Sequence, residues 1–334
     1  MSQGYYPPVQ NPPPAKSSQV LWIVLGVVGA GLALSFVICC GGVVWLAQPP
    51  AASAAAKQPF EFASVPVPQF MPGKETTEDG VRFREVQLMA HGPGGDGRLW
   101  VYRPEADLAP RSATCVLIAG AGSTMITGMS LGDGDQDEHY PYVKAGFVVV
   151  AYDLDGEDTG DAAGDYAKWK ASRAGLVNAR NALEYTRQQL PEVNPQRIFA
   201  AGHSSAASHA LLFAAHEPRL AGVAAYAPCV NIPQRMPGVL VRVLQAQMPG
   251  LVDFLTQSSP HTHEARLACP VFLFGAADDD NTPLKDTQAF ADRLKSQGKE
   301  VTLETVAHGG HYESMIADGI PRGIEWMKKV GATR

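Results

Sequence analysis

The sequence predicts an α/β domain, a mostly parallel sheet of eight strands with helices on both faces, preceded by one transmembrane helix. Three observations carry this. From Thr76 to Val330, short apolar runs alternate with stretches of helical period, the pattern of strand–helix units around a buried sheet. Runs such as Thr114–Ala119 and Phe147–Leu154 are nearly continuous in apolar residues, as strands covered on both faces are. And Val20–Ala47 carries no charged residue over 28 positions.

Residues 1–19 are rich in Pro, Tyr, Gln and Asn and read as a disordered tail. At about 1.5 Å per residue, 20–47 is long enough to cross a hydrocarbon core of roughly 30 Å. A cleaved signal peptide has an apolar region of only about 7–15 residues, so the span reads as a retained single-pass anchor in the lipid bilayer, although Ala52-Ser53-Ala54 resembles a cleavage site. A lipoprotein reading through Cys39 or Cys40 is weaker, because bulky Ile38 precedes Cys39. Lys16 and the amino terminus, weighed against Lys57, place the tail in the cytoplasm and the folded domain outside it. Residues 48–72, rich in Pro and Ala, read as a linker, and 73–334 as the folded domain.

Within that domain Val81–Met89 and Arg98–Arg103 read as an antiparallel pair, followed by strands Thr114–Ala119 and Phe147–Leu154. Asp165–Leu190 has helical period and ends at Pro191. Arg197–Gly202 reads as strand, Ser205–His216 as helix, and Leu220–Ala227 and Pro270–Gly275 as buried strands. Lys285–Gln297 reads as a helix closed by Gly298, Val301–Val306 as the last strand and Ile320–Val330 as the last helix. Residues 230–268 interrupt the rhythm and read as a cap. Their apolar residues follow helical spacing and either line an acyl pocket or pack as ordinary core.

The strand–turn–helix at Gly202-His203-Ser204-Ser205-Ala206 fits G-x-S-x-G with Ala in the last place. A sharp turn of this kind brings strand and helix nearly into contact, so the positions flanking the hydroxyl by two must be small. Gly202 and Ala206 are. Ser205 fits worse as the hydroxyl of the motif, since His203 would then occupy a small position. The plain alternative is a Ser that only caps the helix.

A serine hydroxyl needs a base, and the base needs an orienting group. In parallel sheets such groups lie just past the carboxyl ends of strands. After Pro270–Gly275 comes Asp278, with Asp279 its nearest competitor and Asp280 less favoured; after Val301–Val306 comes His311, behind Gly309 and Gly310, with His308 the alternative. The order Ser204, Asp278, His311 matches the nucleophile–acid–base order of one hydrolase arrangement. The Gly-rich turn Ala119-Gly120-Ala121-Gly122 would supply the Ala121 N–H, with the Ser205 N–H, as oxyanion donors. It lacks the Lys-Ser/Thr ending of a phosphate-binding loop.

On these residues the chain resembles the α/β-hydrolase superfamily, in its prolyl-oligopeptidase and dienelactone-hydrolase branches. The stretches that carry the resemblance are NPQRIFAAGHSSA, SSPHTHEARLACPVFLFGAADDDNTP and LKSQGKEVTLETVAHGGHYESM. It implies Ser204 as nucleophile, Asp278 as acid and His311 as base. Ala206 replaces the last motif Gly, and Ala119-Gly120 stands where His-Gly is usual. No β-propeller is read before the domain, which favours esters over peptides.

The expected chemistry is acyl transfer to water from a small ester or short peptide, with no metal or organic cofactor. The preferred function is a membrane-anchored carboxylesterase. A peptidase is the alternative, and a non-catalytic binding module on a hydrolase scaffold is third. A net charge of −6 without a basic run argues against nucleic acid. Asp133–Asp137 fails as an EF-hand, with Glu138 where Gly is needed and Lys144 where the last Glu belongs; it and Asp153–Asp158 read as solvated loops rather than calcium sites. Cys229 and Cys269 fall at opposite sheet edges and are expected as free thiols with Cys115.

Overall fold

The computed structural model describes residues 60, 65–89, 97–120, 128, 131, 136–156, 160–236 and 238–334. The chain divides into two units, Met1–Lys57 and Gln58–Arg334, and every described residue belongs to the second. The tail at 1–19 and the anchor read at 20–47 lie outside the described residues. Among those that are described, no helix is long and apolar enough to cross a membrane.

Ten strands form one sheet: β1 (Gln69–Pro72), β2 (Thr76–Glu78), β3 (Val81–Met89), β4 (Gly97–Pro104), β5 (Ala113–Ala119), β6 (Val148–Tyr152), β7 (Val193–His203), β8 (Gly222–Tyr226), β9 (Val271–Ala276) and β10 (Val301–Val306). The order is β1-β3-β4-β6-β5-β7-β8-β9-β10, with β2 also on β3. β3, β4 and β6 pair antiparallel, and from β6 through β5 to β10 every pairing is parallel. The eight strands expected are present. The two extra are short and pair antiparallel with β3: β2 is Thr-Thr-Glu, all exposed, and β1 is Gln-Phe-Met-Pro, of which only Phe70 is half-buried. β1 lies inside the stretch read as linker. Arg180, drawn into the same region, donates to the Val65 and Pro66 carbonyls at 2.6 and 3.3 Å. Residue 60 also belongs to the fold: the Phe60 ring meets His216, Phe254 and His263 edge-on. The linker reading therefore ends too late.

The helices are α1 (Gln136–Lys144), α2 (Ala162–Ala171), α3 (Leu176–Gln189), α4 (Ser205–His216), α5 (Ile232–Arg235), α6 (Gly238–Gln247), α7 (Leu251–Ser258), α8 (Leu284–Ser296) and α9 (Ile320–Ala332). Successive side chains of a strand point to opposite faces. In β5, Cys115, Leu117 and Ala119 join the core under α3 and α4, while Val116 and Ile118 join the core with Tyr142, Trp326 and Met327 of α1 and α9. Both faces are apolar because both are covered. The single helix expected over 165–190 is two. Arg173, Ala174 and Gly175 all lie at positive φ (57°, 55° and 79°), which no right-handed helix accommodates. α1 gave no sequence signal, having Pro141 within it and little helical period.

The order of the parallel strands sets the place of the site. The chain runs from β5 to β6 on one side of β5, and β7 then pairs on the other side. At such a reversal the loops at the carboxyl ends separate and leave a crevice. His203, Tyr226, Ala276 and Val306 all end their strands along this edge. The cap is α5, α6, α7 and a 3-10 turn at Pro260–Arg266. Its buried apolar residues, Ile232, Met248, Leu251, Phe254 and Leu255, belong to the main core, while Val239 and Val243 of α6 are exposed.

Candidate active site

Ser204 stands between β7 and α4 with φ 56° and ψ −118°. A serine rarely adopts a positive φ, so the surrounding packing holds the turn in place. The Ser204 N–H donates to the Tyr226 carbonyl at 2.9 Å, which ties the turn to β8. The carbonyl of Ser204 accepts from the Ser208 N–H and hydroxyl, each at 3.1 Å. The need for a small residue at 202 is direct. A Cβ on Gly202 would lie 2.5 Å from the Ala206 carbonyl carbon and 2.9 Å from its Cβ. Ser205 opens α4, whose positive dipole end faces the turn. Ala121, the other residue read as an oxyanion donor, lies outside the described residues.

His311 follows Gly309 (φ 117°) and Gly310 (φ 59°), two left-handed positions that turn the chain back over the sheet edge. Its Nδ1 lies 2.8 Å from Asp279 Oδ2. The sequence reading put Asp278 in this place, and the structure puts Asp279 there. β9 runs one residue further than expected, to Ala276, so the first carboxylate still belongs to the turn and the second points inward. Asp278 instead accepts from the Gly309 and Gly310 N–H groups at 3.2 and 2.9 Å, and its Oδ2 lies 3.5 Å from His308 Nδ1. His308, the alternative base, is 89% exposed.

Asp279 is buried, with its side chain 1% exposed. Its Oδ1 accepts from the Asn281 and Thr282 N–H groups at 2.8 and 2.9 Å, and its Oδ2 from the Thr282 hydroxyl at 2.8 Å. Burial pushes its pKa up, but the hydrogen bonds from His311 and Thr282 outweigh burial and hold it down at about 2. The carboxylate is therefore ionised and accepts the hydrogen that His311 Nδ1 carries. Among the described residues no hydrogen bond joins the Ser204 hydroxyl to the imidazole, and such bonds are often long in a free enzyme. The ring of His203, just before Ser204, lies 4.5 Å from that of His311, centroid to centroid, at a tilt of 44°. Ser204, His311 and Asp279 thus lie along one edge.

The sequence itself carries a signal for Asp279. An Asp followed two and three residues on by Asn and Thr is a turn in which the carboxylate accepts from the backbone ahead of it. Asp278 is followed at those positions by Asp280 and Asn281.

The prolyl oligopeptidase family profile matches residues 135–331, more than half of the 334. The chain belongs to the prolyl oligopeptidase family. Its members are serine hydrolases of α/β-hydrolase fold, and this chain is one. An acetyl xylan esterase from Paenibacillus sp. R4 shares that fold at TM-score 0.59 and 16% identity, over 77% of this chain and 88% of that one. An acylaminoacyl peptidase from Pyrococcus horikoshii matches at TM-score 0.61 and 14% identity, over 75% of this chain and 42% of that one. A glucuronoyl esterase from Solibacter usitatus matches at 0.58 and 14%, over 81% and 88%. No curated protein matches by sequence.

A crevice lies at the base of the cap. It is lined by Cys229, Val230, Asn231, Arg235, Thr282 and Asp286, among others. Asp153 accepts from Arg98 Nε at 3.1 Å and from the Leu131 N–H at 2.7 Å, and Asp155 from Asn178 at 3.0 Å. Among the described residues no cluster of three or more His, Cys, Asp or Glu could hold a metal ion. Cys115, Cys229 and Cys269 form no disulfide.

Proposed function

We propose that this serine hydrolase cleaves carboxylic esters by acyl transfer to water through Ser204, His311 and Asp279. His311 Nε2 takes the proton of Ser204 Oγ as that oxygen attacks the ester carbonyl, and returns it to the leaving alkoxide. The Asp279 carboxylate holds the imidazole in the Nδ1–H tautomer and stabilises its cation. The Ser205 N–H, at the positive end of α4, and the Ala121 N–H steady the oxyanion. Water then cleaves the acyl-enzyme by the same route. The observation that carries the reading is the 2.8 Å bond from His311 to a buried, ionised Asp279.

The esterases among the structures that share this fold support esters over peptides as substrates. The uncharged run at 20–47 supports a single-pass membrane anchor, and Lys16 with the amino terminus, against Lys57, supports a catalytic domain outside the cytoplasm.

A fluorophosphonate probe tests the nucleophile. It labels the parent protein and not Ser204→Ala, and Ser204→Ala loses ester hydrolysis by at least about 10³-fold. Labelling that survives the substitution ends this reading. p-Nitrophenyl esters run against aminoacyl p-nitroanilides test the substrate class, and faster anilide turnover overturns the ester preference. Retention of the full chain in membranes after alkaline carbonate washing tests the anchor.

A further inference from the structure

His203 occupies the free position of the G-x-S-x-A turn, where the motif asks for nothing in particular. It is nonetheless 5% exposed and packed between two parts of the site. Its Nε2 lies 2.8 Å from the backbone oxygen of His311. A carbonyl oxygen can only accept, so His203 Nε2 carries the hydrogen and donates it. Its ring lies against that of His311 at 4.5 Å, tilted by 44°, and meets Tyr312 at 5.7 Å. On its other side Nδ1 faces Glu138 Oε1 of α1 at 3.9 Å.

The loop that carries His311 is adaptable at its root, where Gly309 and Gly310 are both left-handed. Three kinds of tie fix it. Asp278 accepts from the Gly309 and Gly310 N–H groups, and Asp279 holds the imidazole Nδ1. Both acids belong to the turn after β9. The third tie, His203 to the His311 carbonyl, comes from β7 itself, one residue before Ser204. It alone among these links the chain of the base directly to the strand of the nucleophile. Burial lowers the pKa of His203 to about 4, so the ring stays neutral and adds no second cation against His311 when that imidazole takes a proton.

We propose that His203 is a positioning residue that sets the separation of His311 from Ser204 by holding the backbone of His311 to the end of β7. This rests on Ser204 and His311 acting as nucleophile and base. Losing the tie leaves the bound ester where it was but displaces the base from the serine oxygen, so the turnover step suffers and substrate binding does not. A displacement of about 1 Å in such a pair can cost on the order of 10²-fold in rate.

The test compares three variants in the full chain with a p-nitrophenyl ester: His203→Phe keeps the ring and removes the donor, His203→Gln keeps an N–H donor, and Ser204→Ala removes the nucleophile. His203→Phe is expected to lower kcat by about 10- to 100-fold with KM within about twofold, and His203→Gln to recover most of the loss. Fluorophosphonate labelling of Ser204 slows in parallel. If His203→Phe does not fold, His203→Leu, smaller and also without a donor, carries the same comparison. Parent-like kcat in the donor-less variant, or equal impairment of it and His203→Gln, overturns the proposal while the triad stands. Activity surviving in Ser204→Ala overturns the triad, and this proposal with it.

Discussion

The imidazole of His311 is held by Asp279, Nδ1 to Oδ2, at 2.8 Å. The neighbouring pair, His308 and Asp278, repeats the chemistry at 3.5 Å in an open position. Two adjacent carboxylates thus face two histidines of one loop, and burial distinguishes them. Asp279→Asn leaves the packing intact but favours the wrong imidazole tautomer, and lowers kcat by about 10³- to 10⁴-fold. Asp278→Asn keeps one acceptor oxygen and loses the other, so one of the bonds from the Gly309 and Gly310 N–H groups goes, at a cost of less than about tenfold in kcat. Steady-state kinetics of the two variants measures the contrast; equal losses would return Asp278 to the site.

The low pKa of Asp279 makes it a term in stability. Its folded value of about 2 lies below the ordinary value of about 3.9, so the folded state prefers the ionised form. The contribution, on the order of 2 kcal/mol, is complete above about pH 5 and fades as pH falls toward about 2. The difference in thermal midpoint between the parent and Asp279→Asn should therefore be constant from pH 7 to about 5 and shrink below that. A difference independent of pH down to 3 would contradict this.

Gly202 is required for space. A methyl group there would press on the Ala206 carbonyl carbon and oxygen at 2.5 and 2.6 Å, both backbone atoms. Gly202→Ala can be accommodated only by moving α4 away from β7, at a cost of about 1–3 kcal/mol and with the angle of Ser204 altered. Lower stability together with a fall in kcat is expected. Ala206→Gly, which restores the full motif, should leave activity near that of the parent. Kinetics and melting curves of both variants check this.

Phe60 fastens the segment before the first strand. It is 9% exposed and lies within 6.1 Å of three aromatic rings of α4, α7 and the 3-10 turn. Phe60→Ala removes a buried ring from the cap side of the core and should cost about 3 kcal/mol. Limited proteolysis should then cut near residue 60 faster than in the parent, with kcat little changed because Ser204 and His311 are held elsewhere.

The alternation of apolar runs with helical stretches made the eight main strands readable, because a strand covered on both faces must be apolar throughout. β1 and β2 left no such trace, since strands of three or four mostly exposed residues are held chiefly by the backbone of β3, with Phe70 against Tyr185 the one ring that β1 turns inward. The break within 165–190 was hidden for a related reason. Ser172–Gly175 reads as acceptable helix, and only the fold shows the break, with Gly175 at positive φ where a Cβ would meet Leu154, Trp169 and His209.

Sequence alone settled the residue types and their order: a serine flanked by small residues at a strand–helix turn, a run of three aspartates after a later strand, and a histidine behind two glycines after the last. Those follow from local rules, namely steric limits at a sharp turn, periodicity, and the chain order of the elements. Which aspartate meets the histidine depended on whether β9 stops at Gly275 or Ala276, and the sheet decides that through pairing with β10, which reaches Ala276. The contact of His203 with the His311 carbonyl joins positions 108 residues apart. No local rule reaches that far. Only the packing of β7 against the returning loop brings the two together.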